Sequence, residues 1–172
     1  MRYLLARLTR RTVLAHLRHL APVPSRRAPA DLAAVYRQVE REFGMLAPPV
    51  ALHAAAVPMA AASWSMLRET LLAAGEVDRA VKEAVAAAVS RANACPYCVD
   101  VHGATVRGLT GDASSGSPEV IRWAESSAAP LAVRPAPFSP RQRPELIGVA
   151  VVFHYFNRMV NVFLRDSPLP TA

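Results

Sequence analysis

"KEAVAAAVSRANACPYCVDVHGATVRG", residues 82–108, reads as two helices meeting at a short turn. Asp78 is placed to cap the first, whose alanines leave room for neighbouring helices to approach closely. Asn93 suits a left-handed terminator, and Pro96 is favoured in the first turn of the helix that follows. The stretch holds the only two cysteines of the 172 residues, Cys95 and Cys98, with His102 beyond them. On a helix, Cys95 and Cys98 are i and i+3, Cys98 and His102 are i and i+4, and all three share one face. If the two helices pack antiparallel, Glu83 and His102 stand about 9–10 residues either side of the turn and, at ~1.5 Å per residue, reach similar height.

This spacing points to redox chemistry. Two thiols at i and i+3 join with little backbone movement. Unpaired amides at a helix N-terminus favour an anion, so a thiolate forms there below the free-cysteine pKa of about 8.5. His102 adds a proton acceptor or a positive charge beside Cys98. Glu83 is placed to orient the imidazole and relay its proton. Helix-terminus electrostatics favour Cys95 as the more acidic thiol, whereas proximity to His102 favours Cys98.

Upstream, Asp31 is placed to cap a helix running to about Phe43, with Leu32, Val35 and Val39 on one face. "GMLAPP" (44–49) breaks it. A short alanine-rich helix over about 50–57 gives way at Pro58 to another carrying Trp64, Met66, Leu67 and Leu71, stopped at Gly75. Downstream, the cysteine helix ends near "GLTGD" (108–112), and Ser117-Pro118-Glu119 starts a further helix to about Glu125. Residues 126–144 carry five prolines and form a long connector inside the domain. The last helix, "ELIGVAVVFHYFNRMVNVFL" (145–164), is apolar on most sides and is expected to be buried, in the core or between subunits. No alternating strand pattern and no repeat interrupts this series, so the fold class is all-α.

The net charge of +7 is unevenly placed: residues 1–30 carry seven arginines and no acid, and the remainder balances 13 basic against 13 acidic side chains. The basic character therefore belongs to an arm, residues 1–28, and not to the single helical domain expected over 29–172. With no Gly-rich phosphate loop and no basic–aromatic alternation, nucleic acid is not an expected partner. In the arm, Leu4, Leu5, Leu8, Leu14, Leu17 and Leu20 suggest an amphipathic helix docked on the body or on a neighbouring subunit. Weak attachment to a membrane surface is the alternative. "TRRTVLA" (9–15) resembles a twin-arginine export signal, but His16, Arg18 and His19 interrupt the apolar core such a signal needs. No stretch reads as a membrane span, so stable membrane insertion is not expected. The expected setting is the cytoplasm, where a lone cysteine pair is more often catalytic or metal-binding than structural.

Glu83, eleven residues, then Cys95-x-x-Cys98-x-x-x-His102 resembles the signature of the alkylhydroperoxidase D-like branch of the carboxymuconolactone decarboxylase superfamily. The likeness is firm over roughly residues 45–110 and looser over 144–165, where "NRMVN" is similar to an actinobacterial subgroup. The resemblance implies an AhpD-like helical bundle with the CxxC at the N-terminus of a core helix. It implies homo-oligomers, often trimers or hexamers, with the dithiol near a subunit interface. It also implies a peroxidase that works with no metal or other cofactor and is recharged by an external dithiol, lipoamide- or thioredoxin-like. By position, Cys98 would be the peroxidatic thiolate, Cys95 its resolving partner, His102 the activating base and Glu83 the relay acid. Tyr97 stands where well-characterised members carry histidine, which makes it a candidate accessory residue and a departure from the full proton relay.

Blander readings stand beside this one. The cysteines could be an inert structural pair, or join His102 on zinc, although no fourth ligand is obvious. "CPYC" also occurs in glutaredoxins, but there a strand precedes the motif and here an alanine-rich helix does. Tyr97 is by default a packing residue. His154, Asn157, Arg158 and Asn161 are expected to be satisfied polar groups at a subunit contact. The reading carried forward is a peroxide-reducing oxidoreductase. Its alternatives are a thiol–disulfide reductase with little peroxidase activity, and a non-catalytic oligomer whose assembly responds to redox state.

Overall fold

The computed structural model describes residues 13–112, 115–129 and 135–164. Among these residues the fold is all-helical, with one isolated bridge between Leu17 and Leu164. The arm expected to be helical over its whole length lies outside the described residues up to position 12. The helices are α1 (Ala30–Phe43), α2 (Pro48–Ala51), α3 (Val57–Leu67), α4 (Arg79–Ala92), α5 (Pro96–Thr110), α6 (Pro118–Ser126) and α7 (Arg143–Phe163). A π-helical turn, Arg68–Leu72, follows α3 directly. The described residues up to Leu67 and from Met159 form one compact unit, and Arg68–Arg158 form another.

In the first unit α1 buries Leu32, Tyr36 and Val39. These are i, i+4 and i+7, so the inward stripe takes Tyr36 where the sequence suggested Val35. The Tyr36 hydroxyl donates to the Val23 carbonyl at 3.2 Å. Pro29, not Asp31, occupies the N-cap. Asp31 lies in the first turn, where its carboxylate meets the positive end of the helix dipole. α2 is shorter than the expected 50–57 helix and starts two residues earlier, because Pro48 supplies the φ that a first helical turn needs. Residues 13–15 are helical, and Val13, Leu14 and Leu17 are buried. Arg18 then closes the end of α7. Its amide donates to the Phe163 carbonyl at 2.8 Å, and its guanidinium donates to the Val162 and Asn161 carbonyls at 2.8 and 2.6 Å. A cation is thus placed on the unpaired carbonyls at a helix C-terminus.

The second unit is built on α4, where every residue from Lys82 to Ser90 is buried. α5 and α6 pack against it, and alanine at positions 84 and 86–88 is what lets a helix be covered on all sides. Asp78 occupies the N-cap of α4 without a side-chain capping bond. Asn93 is not the left-handed residue: it lies at φ −91° and Ala94 takes φ +49°. The Asn93 side chain is engaged elsewhere, so the reversal falls one residue later, on an alanine that bears roughly 1–2 kcal/mol of strain. Ser117 caps α6 by accepting from the Val120 amide at 3.4 Å.

Lys82, the one lysine, is 2% exposed and pairs with Glu145 at 2.6 Å, while its ammonium also donates to the Ala73 carbonyl at 3.0 Å. Burial alone would raise the Glu145 carboxyl, but Lys82 and the Glu76 and Val77 amides outweigh it and hold the carboxyl below its ordinary range. Gly75 leaves room for this pair, since a Cβ at that position would meet the Glu145 carboxylate and make that side chain shift. Glu145→Ala strands the ammonium. A loss of about 2 kcal/mol in urea unfolding is expected, less than for a fully enclosed pair because Glu145 still touches water. An unchanged midpoint would show that the pair contributes nothing.

By length and mean hydropathy (1.4) α7 could cross a bilayer, which departs from the expectation that no stretch has that character. Its inward face carries Leu146, Val149, Phe153, Phe156 and also Asn157, all buried. A helix lying in a protein core passes the same test of length and composition.

Candidate active site

The turn between α4 and α5 sets the geometry. Cys95 is the N-cap of α5 and Pro96 its first residue, so the two cysteines open the helix as the sequence implied. Both thiols are free and buried, and their sulfurs are 2.7 Å apart. One turn further along α5, His102 is also buried. Its ring meets Phe153 edge-on, with centroids 4.6 Å apart.

Glu83 reaches His102 across the antiparallel α4–α5 pair. Its Oε2 lies 2.6 Å from His102 Nδ1, and its Oε1 accepts from Arg79 Nε and Nη2 at 3.2 Å each. The carboxylate is fully buried, so three N–H donors replace the water it has lost. Holding the proton on Nδ1 leaves the Nε2 lone pair as the basic site of a neutral imidazole. The structure therefore joins Glu83 to His102 and Cys95 to Cys98. By helix geometry the Cβ atoms of Cys98 and His102 are roughly 6 Å apart.

The two sulfurs titrate as a pair. The bond from the Cys98 thiol lowers the Cys95 pKa most. Burial opposes it, and the Cys98 amide and Asn157 side chain add to the lowering. No side-chain bond of full geometry caps α5, so that amide acts on the sulfur through its field. Cys98 is pushed well above its ordinary value, first by the same bond, then by burial and the Cys95 charge. Within the pair, Cys95 is therefore the thiol whose pKa is lowered and Cys98 the one whose pKa is raised, chiefly through the bond between them. Tyr97 is buried, and that burial followed by the Cys98 and Cys95 charges raises its hydroxyl well above 10.0. It stays a neutral phenol.

A model of the carboxymuconolactone decarboxylase family matches residues 58–136. The segment from α3 through α6 matches that family. A Mycobacterium tuberculosis protein named alkyl hydroperoxide reductase is 39% identical over 165 residues, 88% of this chain; the chain spans about half (47%) of that relative's length. The fold is that of the alkylhydroperoxidase AhpD core. A peroxidase-related protein of Ralstonia eutropha JMP134, described as that core, superposes with TM-score 0.70 at 19% identity, covering 88% of this chain and 92% of its own. A peroxidase-related protein of Silicibacter sp. TM1040 gives 0.69 at 19% identity, covering 81% and 87%.

The carboxymuconolactone decarboxylase match takes in Glu83, Cys95, Tyr97, Cys98 and His102 but ends before α7. Three residues that sequence reasoning did not place at the site are Arg79, Phe153 and Asn157. Arg79 was legible as the i−4 partner of Glu83; the other two come from α7 and carry no local signal. His154 and Asn157 were expected at a subunit contact. Both find partners within their own unit. Asn157 bonds Asn93 and Ser90 at 3.0 Å, and His154 bonds Asn93 at 2.9 Å and Ser127 at 3.0 Å.

Proposed function

We propose that this chain is a cysteine-based peroxidase that reduces alkyl hydroperoxides or hydrogen peroxide through a Cys95–Cys98 dithiol/disulfide cycle. The reading is carried by a touching thiol pair set beside a buried carboxylate–imidazole pair in one helical hairpin. His102 takes the proton of Cys98, and the thiolate attacks the outer peroxide oxygen. The O–O bond breaks, Cys98 becomes a sulfenic acid, and the departing alkoxide is protonated to alcohol, or hydroxide to water. Cys95 then displaces water from the sulfenic acid to form the disulfide, and an external dithiol returns both thiols while becoming oxidised itself. Both thiols are buried, so peroxide reaches them through a local opening. The activity belongs to a homo-oligomer in the reducing cytoplasm. The exposed Ile147, Val151, Tyr155 and Val162 along α7 support assembly.

One observation favours a second reading. Cys95, at the helix start, is the acidified thiol, which suits a thiol–disulfide reductase that attacks disulfides first from Cys95. The two are separated by following peroxide loss with dithiothreitol or dihydrolipoamide as reductant, and by mass spectrometry of non-reduced peptides. Peroxidase action is expected to consume peroxide catalytically and to leave a Cys95–Cys98 peptide pair that dithiothreitol reopens. Thiols that stay free at modest peroxide excess would refute it.

A further inference from the structure

Asn157 is fully buried on α7 and its amide is oriented by its neighbours. Ser127 donates its proton to the Ala124 carbonyl at 2.6 Å, so its Oγ accepts from His154 Nε2 at 3.0 Å. His154 Nδ1 is then an acceptor for Asn93 Nδ2 at 2.9 Å. The second Asn93 hydrogen goes to Asn157 Oδ1 at 3.0 Å. That leaves Asn157 Nδ2 facing Ser90, whose Oγ it meets at 3.0 Å and whose own proton goes to the Ala86 carbonyl at 2.7 Å. Every member of the chain has one direction, and one Asn157 N–H remains unassigned.

The same residues bracket the turn that presents the dithiol. Ser90 accepts the Cys95 amide on its carbonyl at 3.0 Å, and Asn93 precedes the left-handed Ala94. A non-glycine residue persists at positive φ only where its surroundings over-determine it. Asn157 grips the turn at Ser90 and Asn93, the residues that lead into that strain. We infer that Asn157 is a positioning residue for the dithiol, clamping the Ser90–Cys95 turn and offering its free amide hydrogen to the sulfur pair. In agreement, the Asn157 side chain acts to lower the pKa of both cysteines. The inference rests on the dithiol being the reactive centre, but not on peroxide being its substrate.

The test uses the full-length reduced protein without peroxide. Iodoacetamide labelling of each cysteine is followed against pH, and the disulfide is equilibrated against glutathione. Asn157→Asp keeps the acceptor for Asn93, removes the N–H donors and adds a negative charge. It is expected to raise the pH midpoint of the first thiol by about one unit and to make the disulfide harder to reduce. Ser90→Ala removes one anchor with little change in bulk and is expected to shift the midpoint upward by less. It decides the matter if Asn157→Asp does not fold. Folded variants that lose thermal stability but keep the wild-type labelling midpoint and redox equilibrium would show a purely structural role and overturn the inference.

Discussion

Cys98→Ser is expected to abolish peroxide consumption, whereas Cys95→Ser should complete a single turnover and leave a sulfenic acid on Cys98 that dimedone traps. The resting pair does not make this outcome trivial, because its lowered pKa belongs to Cys95 and Cys98 is held well above the ordinary value. The cause of that elevation is removed in the Cys95→Ser variant. A serine at position 95 carries no charge and can only donate to a Cys98 thiolate, so the Cys98 pKa falls toward the ordinary range against the opposing effect of burial. Labelling of Cys98 should therefore begin at lower pH in Cys95→Ser than in wild type. In Cys98→Ser the serine hydroxyl can still donate to the Cys95 thiolate, so Cys95 should stay acidic yet fail to turn over. A sulfenic acid found first on Cys95, with catalysis surviving in Cys98→Ser, would reverse the two roles.

Glu83→Gln is expected to slow peroxide reduction by about 10²–10⁴-fold, the range associated with losing a positioned general base, and His102→Ala by a similar factor. The glutamine is nearly isosteric, so its effect is electronic. Its amide would present an N–H to Nδ1 and drive the imidazole proton to Nε2, the wrong tautomer for a base, a type of error that costs on the order of 10⁴ in the serine-protease triad. Arg79 would also lose the carboxylate that it now meets through two N–H groups. Disulfide formation by a strong oxidant should survive in both variants, because the sulfurs remain adjacent. Single-turnover kinetics by stopped flow would settle it: wild-type rates in Glu83→Gln would remove the carboxylate from the mechanism.

Much of the site was legible because it lies in one helical hairpin. Cys95, Cys98 and His102 follow from helix periodicity, and Glu83 follows from the mirror symmetry of an antiparallel pair about its turn. The helices themselves were read from Pro96, Ser117 and the apolar periodicity of α7. The misses share a cause. Choosing Val35 over Tyr36, or Asn93 over Ala94, is a choice between adjacent residues that tertiary packing makes. Asn157 meets Ser90 across 67 positions of sequence, a separation that local pattern does not encode. Phe153 against His102 is of the same kind. The proton-handling half of the centre was therefore readable, and the half contributed by α7 was not.

The pairing of Lys82 with Glu145 has a consequence for chemical access. This chain has one ε-amino group, and folding places it 2% exposed with its hydrogens committed to a carboxylate and a carbonyl. Acylating reagents, acetyl donors and ubiquitin ligases all need a free, deprotonated amine at the surface, and the folded second unit offers them none on a lysine side chain. Acylation of Lys82 by an N-hydroxysuccinimide ester thus becomes a reporter of local opening, and its rate measures how often α4 comes away from its neighbours.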